Sequence, residues 1–311
     1  MTTGFFTHPD CLEHVTPDGH PERVDRLRAI LKAMEGPALA ALDRREAPLA
    51  AREDLLLCHP EAHVARVEAA IPVTGIAALD ADTFVSPGSM TAALRAAGGN
   101  IAAVDAVLGE DIANAFVATR PPGHHAERTR PMGFCLFGNV AIAAKHALDR
   151  HGLDRVAVID FDVHHGNGTQ DLLWNEPRTL FVSSHQFPLY PGTGTPEETG
   201  AHDNVLNVTL DPMSGGAEMR AAYEDIVFPR VEAFAPELIL VSAGFDAHAN
   251  DPLAQLNWTE DDFAWITGRI CDLADTHCGG RVVSTLEGGY DLDALAASAA
   301  AHVKVLMERG E

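Results

Sequence analysis

Two carboxylates and one histidine stand where they could share a metal ion. Asp162 and His164 are two residues apart just after an apolar run, so at a strand end both side chains would point to the same side. Asp246 follows another apolar run and could add a second carboxylate. Two oxygens and one nitrogen, with an open fourth position, form the ligand set of a catalytic zinc, and Fe(II) or Co(II) would also accept it. The simpler alternative is that Asp162 and His164 only bond loop backbone.

A pair of adjacent histidines follows a Pro-Pro-Gly turn in the segment 120–125. On such a turn His124 and His125 could both face a cleft, whereas on a regular strand they would point to opposite sides. Amide hydrolysis needs a base that takes a proton from water and an acid that protonates the leaving amine. Imidazole suits both tasks because it titrates near neutral pH. Asp160 and Asn167 are candidates to orient the two rings, and a solvated loop is the alternative for an isolated His-His pair.

An aromatic residue, Tyr290, follows a flexible Gly-Gly pair near the end of the chain. Its phenol could donate a hydrogen bond to a carbonyl oxygen opposite the metal and stabilise a developing oxyanion. Further apolar groups could line a narrow channel suited to an extended methylene chain, and the candidates are Gly133, Phe134, Leu189 and Tyr190. Packing in the core is the alternative for each of the aromatic side chains.

These segments follow short apolar runs without polar alternation, which are typical of strands buried on both faces of a parallel sheet. The predicted strands are 54–58, 113–119, 155–161, 179–184, 204–210, 238–243 and 282–286. Longer amphipathic segments predict helices at 22–34, 60–70, 89–108, 139–151, 216–234, 260–276 and 292–307, with a loop at 36–52. The alternation predicts a single three-layer α/β domain over residues 1–311. Such sheets bind ligands at the carboxyl ends of their strands.

Composition narrows the class of protein. Hydrophobic residues make up 46% of the 311 residues and charged residues 22%, which excludes a disordered or fibrous chain. The net charge of -23 disfavours a nucleic-acid partner. Residues 1–9 lack the features of a signal peptide, and no apolar run would span a bilayer, so a cytoplasmic location without a membrane partner is expected. The five cysteines form no Cys-x-x-Cys pair and are expected to be reduced thiols.

Five motifs carry a family resemblance, and their order along the chain is RPPGHHA, DFDVHHGNGTQ, HQFPLYPGTG, SAGFDAH and LEGGYDL. They resemble the motifs of the zinc-dependent histone deacetylase superfamily, which includes bacterial histone deacetylase-like amidohydrolases and acetylpolyamine amidohydrolases. The resemblance runs from His20 to Tyr290, and the Gly-Asn-Gly form and the Asp-Pro-Leu segment at 251–253 look closer to class II and bacterial members. It implies an arginase–deacetylase fold with a mostly parallel sheet of about eight strands.

The resemblance also implies roles for the candidate residues. One zinc ion would be held by Asp162, His164 and Asp246. His125 would be the general base and acid, His124 its electrostatic companion, and Tyr290 would polarise the scissile carbonyl. The remaining implied sites are the Asp160 partner of His124, a substrate tunnel at Gly133, Phe134 and Tyr190, and a structural potassium ion near Asp160, Asp162, His164, Ser183 and Ser184.

Three positions refine the expected activity. Asn167 stands where class I members carry a carboxylate, so the pKa of His125 should be lower than in those relatives. Leu253 stands at a gate where polyamine-selective members can place a carboxylate, which favours an acyl-lysine or general acyl-amide substrate. Asp82, together with Asp80, lies in a loop that contacts the substrate in this family, and it keeps acetylpolyamines as the alternative.

Arginase-type enzymes of the same fold bind two metals through Asp-x-His-x-Asp and Asp-x-Asp segments. Gly166 and His248 stand where the carboxylates for the second metal would be, so a one-metal amidohydrolase is expected. A non-catalytic sensor of acylated amines is less favoured because every proposed catalytic residue is present. The expected partner is therefore an acylated amine, and a homo-oligomer is left open.

Overall fold

The computed structural model describes residues 2–310, so Met1 and Glu311 at the ends of the predicted domain lie outside the described residues. The strands are β1 (Thr3–Thr7), β2 (Asp43–Glu46), β3 (Ala77–Ala78), β4 (Phe84–Val85), β5 (Asn114–Val117), β6 (Val156–Asp160), β7 (Thr179–Gln186), β8 (Val205–Leu210), β9 (Leu238–Ala243) and β10 (Val282–Leu286). The helices are α1 (Val24–Ala33), α2 (Arg52–Leu55), α3 (Glu61–Ala70), α4 (Ser89–Leu108), α5 (Asn139–Arg150), α6 (Asn167–Leu173), α7 (Gly216–Ala222), α8 (Phe228–Phe234), α9 (Glu260–Cys278) and α10 (Leu292–Gly310). A π-helical segment, Tyr223–Val227, joins α7 to α8.

One sheet of eight strands runs through the molecule in the order β2-β1-β5-β10-β9-β6-β7-β8, and all its neighbours pair in parallel. Parallel pairing requires crossover connections, and the helices they contain cover both faces. Helices α4 and α5 pack on one face and α1, α9 and α10 on the other. Successive side chains of a strand enter different cores, as Phe5 and Phe6 of β1 do. The predicted three-layer α/β fold with a parallel sheet is therefore confirmed.

Six of the seven predicted strands coincide with β5 to β10, with ends that differ by at most two residues. The seventh prediction, a strand at 54–58, is wrong, because Leu55 ends the short helix α2 and the chain then turns. Leu55 and Cys58 are buried whereas Leu56 is 41% exposed, so the run is buried at a helical spacing. A short apolar run does not by itself distinguish a strand from a helical turn.

Two strands at one edge of the sheet have weak sequence signals. Strand β2 reads Asp-Arg-Arg-Glu, and it lies inside the segment 36–52, so the prediction of a loop there is wrong. Its polar side chains fit an edge strand, which has a neighbour on one side only. Strand β1 has five residues, one of them Gly4, and carries no long apolar run. The seven predicted helices are confirmed with end shifts of up to three residues, although the segment 216–234 is interrupted by the π-helical turn.

Four strands in the centre of the sheet, β5, β10, β9 and β6, lie side by side and end at the same edge. Their carboxyl ends lead into the segments 118–126, 287–291, 244–251 and 161–166, which hold most of the predicted catalytic residues. This edge is where an open parallel sheet binds its ligand.

Two expectations from composition can be compared with the structure. Within residues 2–310, no helix is both long and apolar enough to cross a bilayer. All five cysteines are free thiols with buried side chains, as predicted.

Candidate active site

Asp162, His164 and Asp246 lie together beyond the ends of the neighbouring strands β6 and β9, and all three are buried. His164 Nδ1 is 3.1 Å from Asp162 Oδ1 and 3.2 Å from Asp246 Oδ2. In a tetrahedral zinc site with bonds of about 2.0–2.1 Å, ligand atoms are separated by about 3.3 Å. The three side chains therefore fit a zinc ion with little movement.

Backbone N–H groups hold both carboxylates in place. Asp162 accepts hydrogen bonds from His164 N–H at 2.9 Å and from Gly288 N–H at 2.8 Å, one on each oxygen. Asp246 Oδ1 accepts from Val163 N–H at 2.9 Å. Burial alone lowers the pKa of His164, but the two carboxylates raise it to about 10. The group thus favours a positive charge at this point, which a divalent cation can supply in place of a proton.

His124 is paired with Asp160, with 3.0 Å between His124 Nδ1 and Asp160 Oδ2. Burial alone lowers the pKa of His124, but the carboxylates of Asp162 and Asp160 raise it well above 6.5. These carboxylates therefore favour the charged form of the ring. Glu287 fixes the turn that carries it, because one Glu287 oxygen accepts from Gly123 N–H at 2.7 Å and from His124 N–H at 3.1 Å.

His125 is paired with Asn167, with 2.8 Å between His125 Nδ1 and Asn167 Oδ1. An amide oxygen can only accept, so Nδ1 carries the proton and Nε2 holds the lone pair of the neutral ring. Burial lowers the pKa of His125 well below 6.5, and the His124 ring, with its centroid 4.0 Å away, lowers it further. Gly133 packs against the ring at φ +55°, where a Cβ atom would clash with His125.

Tyr290 is held through its backbone and through the face of its ring. Its N–H donates to Asp251 Oδ2 at 2.7 Å, and the Arg26 guanidinium lies 4.8 Å from the ring centroid. Arg26 also donates to the carbonyl oxygens of Glu287 at 2.6 Å and Gly289 at 2.5 Å, in the segment that leads to the tyrosine. Burial raises the pKa of the phenol well above 10, so the hydroxyl keeps its proton and can donate it in a hydrogen bond.

A cavity of about 190 Å³ brings the candidate residues together. Its lining consists of Asp82, His125, Gly133, Phe134, His164, Leu189, Tyr190, Leu253 and Tyr290. All five predicted substrate-binding residues are in this lining, next to the predicted base, one predicted metal ligand and the tyrosine. Tyr190 is 38% exposed and Leu253 36%, so these two side chains mark the opening. Asp80 is not in the lining, since its carboxylate accepts from the backbone N–H groups of Asp82 and Thr83.

Known proteins are similar to this chain in sequence and in fold. The family model described as the histone deacetylase domain matches residues 20–306. The chain belongs to the histone deacetylase family. It is 42% identical over 279 residues to the histone deacetylase-like amidohydrolase of Pseudomonas aeruginosa, covering 88% of this chain and 73% of that protein. A probable deacetylase of Archaeoglobus fulgidus is 40% identical over 299 residues, covering 94% and 82%. The crystal structure of the HDA15 HD domain matches with a TM-score of 0.94 and 33% identity, covering 99% of this chain and 88% of that chain.

The comparisons confirm the resemblance that the five motifs indicated, and the structural match to a histone deacetylase domain confirms the arginase–deacetylase fold. The family supports a hydrolase that removes acyl groups from amines. The five motifs do not indicate the buried charged side chains that lie behind Tyr290. Glu22 there accepts hydrogen bonds from Arg120, at 2.6 Å to Nη2, and from Arg26, at 3.2 Å to Nη1, and all three side chains are 0% exposed.

The position of Asp251 also differs from what the sequence predicts. Together with the acidic residues at 260–262, the sequence predicts a solvated rim for Asp251, but that expectation is wrong, because the residue is only 7% exposed. One carboxylate oxygen accepts from Tyr290 N–H and the other from Leu253 N–H at 2.9 Å. Asp251 therefore links the tyrosine to the residue at the opening of the cavity, and the Asp-Pro-Leu motif was the signal that could have indicated this.

The potassium site implied by the resemblance stays a prediction. The hydroxyls of the two serines are both engaged, Ser183 with His185 Nδ1 at 3.0 Å and Ser184 with Tyr223 Oη at 2.6 Å, so a cation there would rest on backbone oxygens. A separate group of Asp105, His146 and His151 lies at the ends of α4 and α5. Both of its rings bond the same Asp105 oxygen, at 2.6 and 2.7 Å, and these hydrogen bonds account for the grouping.

Proposed function

We propose that this member of the histone deacetylase family is a zinc-dependent amidohydrolase that removes an acetyl or similar short acyl group from an acylated lysine or a related amine. The observation that carries the proposal is the single cavity lined by His125, His164 and Tyr290, with Asp162 and Asp246 bonded around His164. A base, a metal-ligand set and an oxyanion donor face one space there. That combination serves hydrolysis of an amide.

Asp162, His164 and Asp246 would hold the zinc ion, with the neutral imidazole binding through Nδ1. Zinc, when bound, supplies Lewis-acid polarisation of the acyl carbonyl and lowers the pKa of a water molecule. The backbone N–H groups on the two carboxylates keep the ligand oxygens oriented, which is the usual work of groups behind a metal site.

His125 is the general base of the proposed reaction. Its Nδ1–H is committed to Asn167, so Nε2 is the nitrogen that can take a proton from the attacking water. Its lowered pKa keeps the ring neutral at physiological pH. After the carbonyl becomes tetrahedral, the same nitrogen returns the proton to the leaving amine. His124, paired with Asp160, would be the electrostatic companion of His125, whose ring centroid lies 4.0 Å away.

Tyr290 is the hydrogen-bond donor to the carbonyl oxygen in this proposal. Its raised pKa keeps the phenol protonated, and Arg26 and Asp251 fix the ring and the backbone that carry it. A donor that is already oriented loses little free energy to reorganisation when the oxyanion forms. The walls at Phe134 and Leu189 exclude water from the acyl chain and leave space for a methylene linker.

The class of acylated amine that serves as substrate is inferred from the residues at the opening of the cavity. Leu253 is apolar and partly exposed there, so it offers no partner for a distant ammonium group, and this favours an acyl-lysine peptide. The acetylpolyamine alternative rests on Asp82, whose carboxylate side chain lines the same cavity. The single-domain organisation, the cytoplasmic location, a structural potassium ion and any homo-oligomer remain proposals from the sequence, and some relatives are named as chloroplastic.

The deciding experiment compares substrates on protein reconstituted with zinc. kcat/KM is measured for an acetyl-lysine peptide, acetylputrescine and acetylspermidine, before and after zinc is removed with a chelator. The proposal expects turnover that is lost with the metal and returns on adding it, with the peptide preferred. A polyamine preference would favour the Asp82 alternative. No turnover of any acylated amine by zinc-loaded protein would refute the proposed function.

A further inference from the structure

The carboxylate of Glu127 lies behind the pair formed by His125 and Asn167. Glu127 is half-buried and follows the two histidines and Ala126 in sequence. Asn167 Nδ2 donates to Glu127 Oε1 at 2.8 Å. The same nitrogen lies 3.4 Å from the Met132 sulfur. His125, Asn167 and Glu127 thus form a chain of two hydrogen bonds that leads from the proposed base toward the surface.

These two hydrogen bonds determine which way the Asn167 amide points. A carboxylate and a thioether can only accept hydrogen bonds, so both favour the NH₂ end of the amide on their side. If the amide were turned over, its oxygen would face the Glu127 carboxylate and its NH₂ group would face His125 Nδ1. Two acceptors would then meet at 2.8 Å without a proton between them, and His125 would have to move its proton to Nε2.

We propose that Glu127 is a positioning residue that holds the Asn167 amide with its oxygen toward His125 and thereby keeps the His125 proton on Nδ1. The inference deepens the proposed function and rests on it, because the lone pair on Nε2 matters only if His125 acts as a base. Glu127 also places a negative charge two hydrogen bonds from the ring, where Asn167 itself is neutral.

The arrangement predicts how Asn167→Asp changes the effect of a substitution at Glu127. That substitution gives His125 a carboxylate partner directly, but it also places a second carboxylate at the position that now lies 2.8 Å from Glu127. Like charges at that distance repel, or one of them holds a proton. A neutral Gln at position 127 would instead donate to Asp at position 167. The change Glu127→Gln should therefore harm the wild-type background and help the Asn167→Asp background.

The experiment uses the full-length, zinc-loaded protein and four variants, Glu127→Gln, Glu127→Leu, Asn167→Asp and the double variant Asn167→Asp/Glu127→Gln. One readout is kcat/KM on the acetyl-lysine peptide, and the other is the His125 tautomer from ¹⁵N and ¹³C chemical shifts of the ring. Glu176→Gln is the matched control, because Glu176 is also half-buried and its carboxylate is paired with Arg178 at 2.8 Å.

Removing the hydrogen-bond partner behind a metal ligand costs about 10–100-fold in metal affinity or activity, and a base held by the same kind of contact should behave similarly. We expect a loss of that size for Glu127→Leu, together with a shift of the His125 proton toward Nε2. Glu127→Gln retains an acceptor for Asn167 and should lose less than about tenfold. In the Asn167→Asp background the same change should raise kcat/KM, whereas Glu176→Gln should leave both readouts unchanged.

Wild-type activity and tautomer in Glu127→Leu would overturn the positioning role. Equal losses from Glu127→Gln in both backgrounds would overturn it too, because a merely structural role predicts no reversal of sign. If Glu127→Leu does not fold, the Gln variants still decide through that reversal. If the zinc-loaded wild type turns over no acylated amine but Glu127→Leu shifts the tautomer, the proposed function fails and the positioning role stands.

Discussion

Replacing Tyr290 with Phe isolates the contribution of one hydroxyl. Within residues 2–310 that hydroxyl makes no hydrogen bond to protein, while the backbone N–H and the ring face are held by Asp251 and Arg26. Phe keeps the ring, its contact with Arg26 and the backbone bond. The folded protein should therefore change little, and the effect should fall on the transition state.

The magnitude follows from the task assigned to the hydroxyl. A prearranged donor to an oxyanion contributes about 10²–10³-fold in kcat, or about 2.7–4 kcal/mol. We expect a loss of that size for Tyr290→Phe, with KM nearly unchanged because the hydrogen bond strengthens only as charge develops on the carbonyl oxygen. The assay is steady-state hydrolysis of the acetyl-lysine peptide, with zinc content measured on the same samples.

Tyr223→Phe is the control, because it also removes one phenol hydroxyl from a buried tyrosine. The Tyr223 hydroxyl bonds Ser184 Oγ at 2.6 Å and does not line the cavity. Its loss should cost about 1 kcal/mol of unfolding free energy and leave kcat nearly unchanged. The assignment of Tyr290 is refuted if its variant loses less than about tenfold in kcat at full zinc content, or if both variants lose activity equally.

Three further predictions concern other parts of the site. Glu22→Gln leaves the Arg26 and Arg120 guanidiniums buried without a charge partner, so the free energy of unfolding should fall by about 3–5 kcal/mol in denaturant titrations; a change below about 1 kcal/mol would contradict this network. Leu253→Glu adds a carboxylate at the cavity opening, where a partly exposed ion pair of up to about 1 kcal/mol should raise kcat/KM for acetylspermidine relative to the peptide by up to about fivefold; an unchanged ratio would count against this gate. Burial lowers the pKa of His125, and a general base acts only when it is unprotonated. The acidic limb of the pH profile of kcat/KM should therefore lie well below pH 6.5, and a limb at the ordinary histidine value would disprove this role of His125.

Sequence patterns predict strands β5 to β10 well and strands β1 and β2 at one edge of the sheet poorly. Strands β5, β6, β7, β9 and β10 are buried on both faces, and the edge strand β8 is buried at four of its six residues, so their apolar runs are visible in the sequence. Strand β2 pairs on one side only, and its residues Asp-Arg-Arg-Glu alternate between partly buried and exposed, so its apolar signal is absent. The run 54–58 shows the opposite error, because its apolar residues are buried on one side of a helical turn.

The residues of the candidate site likewise differ in how well the sequence predicts their contacts. Residues within one motif, such as Asp162 and His164, can be related by their spacing. Glu22 and Arg120 are 98 residues apart, and Asp251 contacts Tyr290 across 39 residues, so no local pattern connects them. Only the order of the strands brings these pairs together, and that order cannot be read from the runs themselves. The charged groups behind the motifs therefore appear only in the three-dimensional structure.

The strand order also explains why the segment after β10 contacts so many parts of the site. Strand β10 lies between β5, which leads to the histidine pair, and β9, which leads to Asp246. Its continuation reaches both sides, since Glu287 accepts from the backbone of the turn at His124 and Gly288 N–H donates to Asp162. Tyr290 follows three residues after Glu287, so one short backbone segment carries the proposed donor to the carbonyl and contacts both the turn with the proposed base and a proposed metal ligand. A Cβ at Gly288 would clash with the carboxylates of Asp162 and Asp246, so Gly288→Ala should weaken binding at the proposed metal site and, through the neighbouring Glu287, shift the turn with the proposed base.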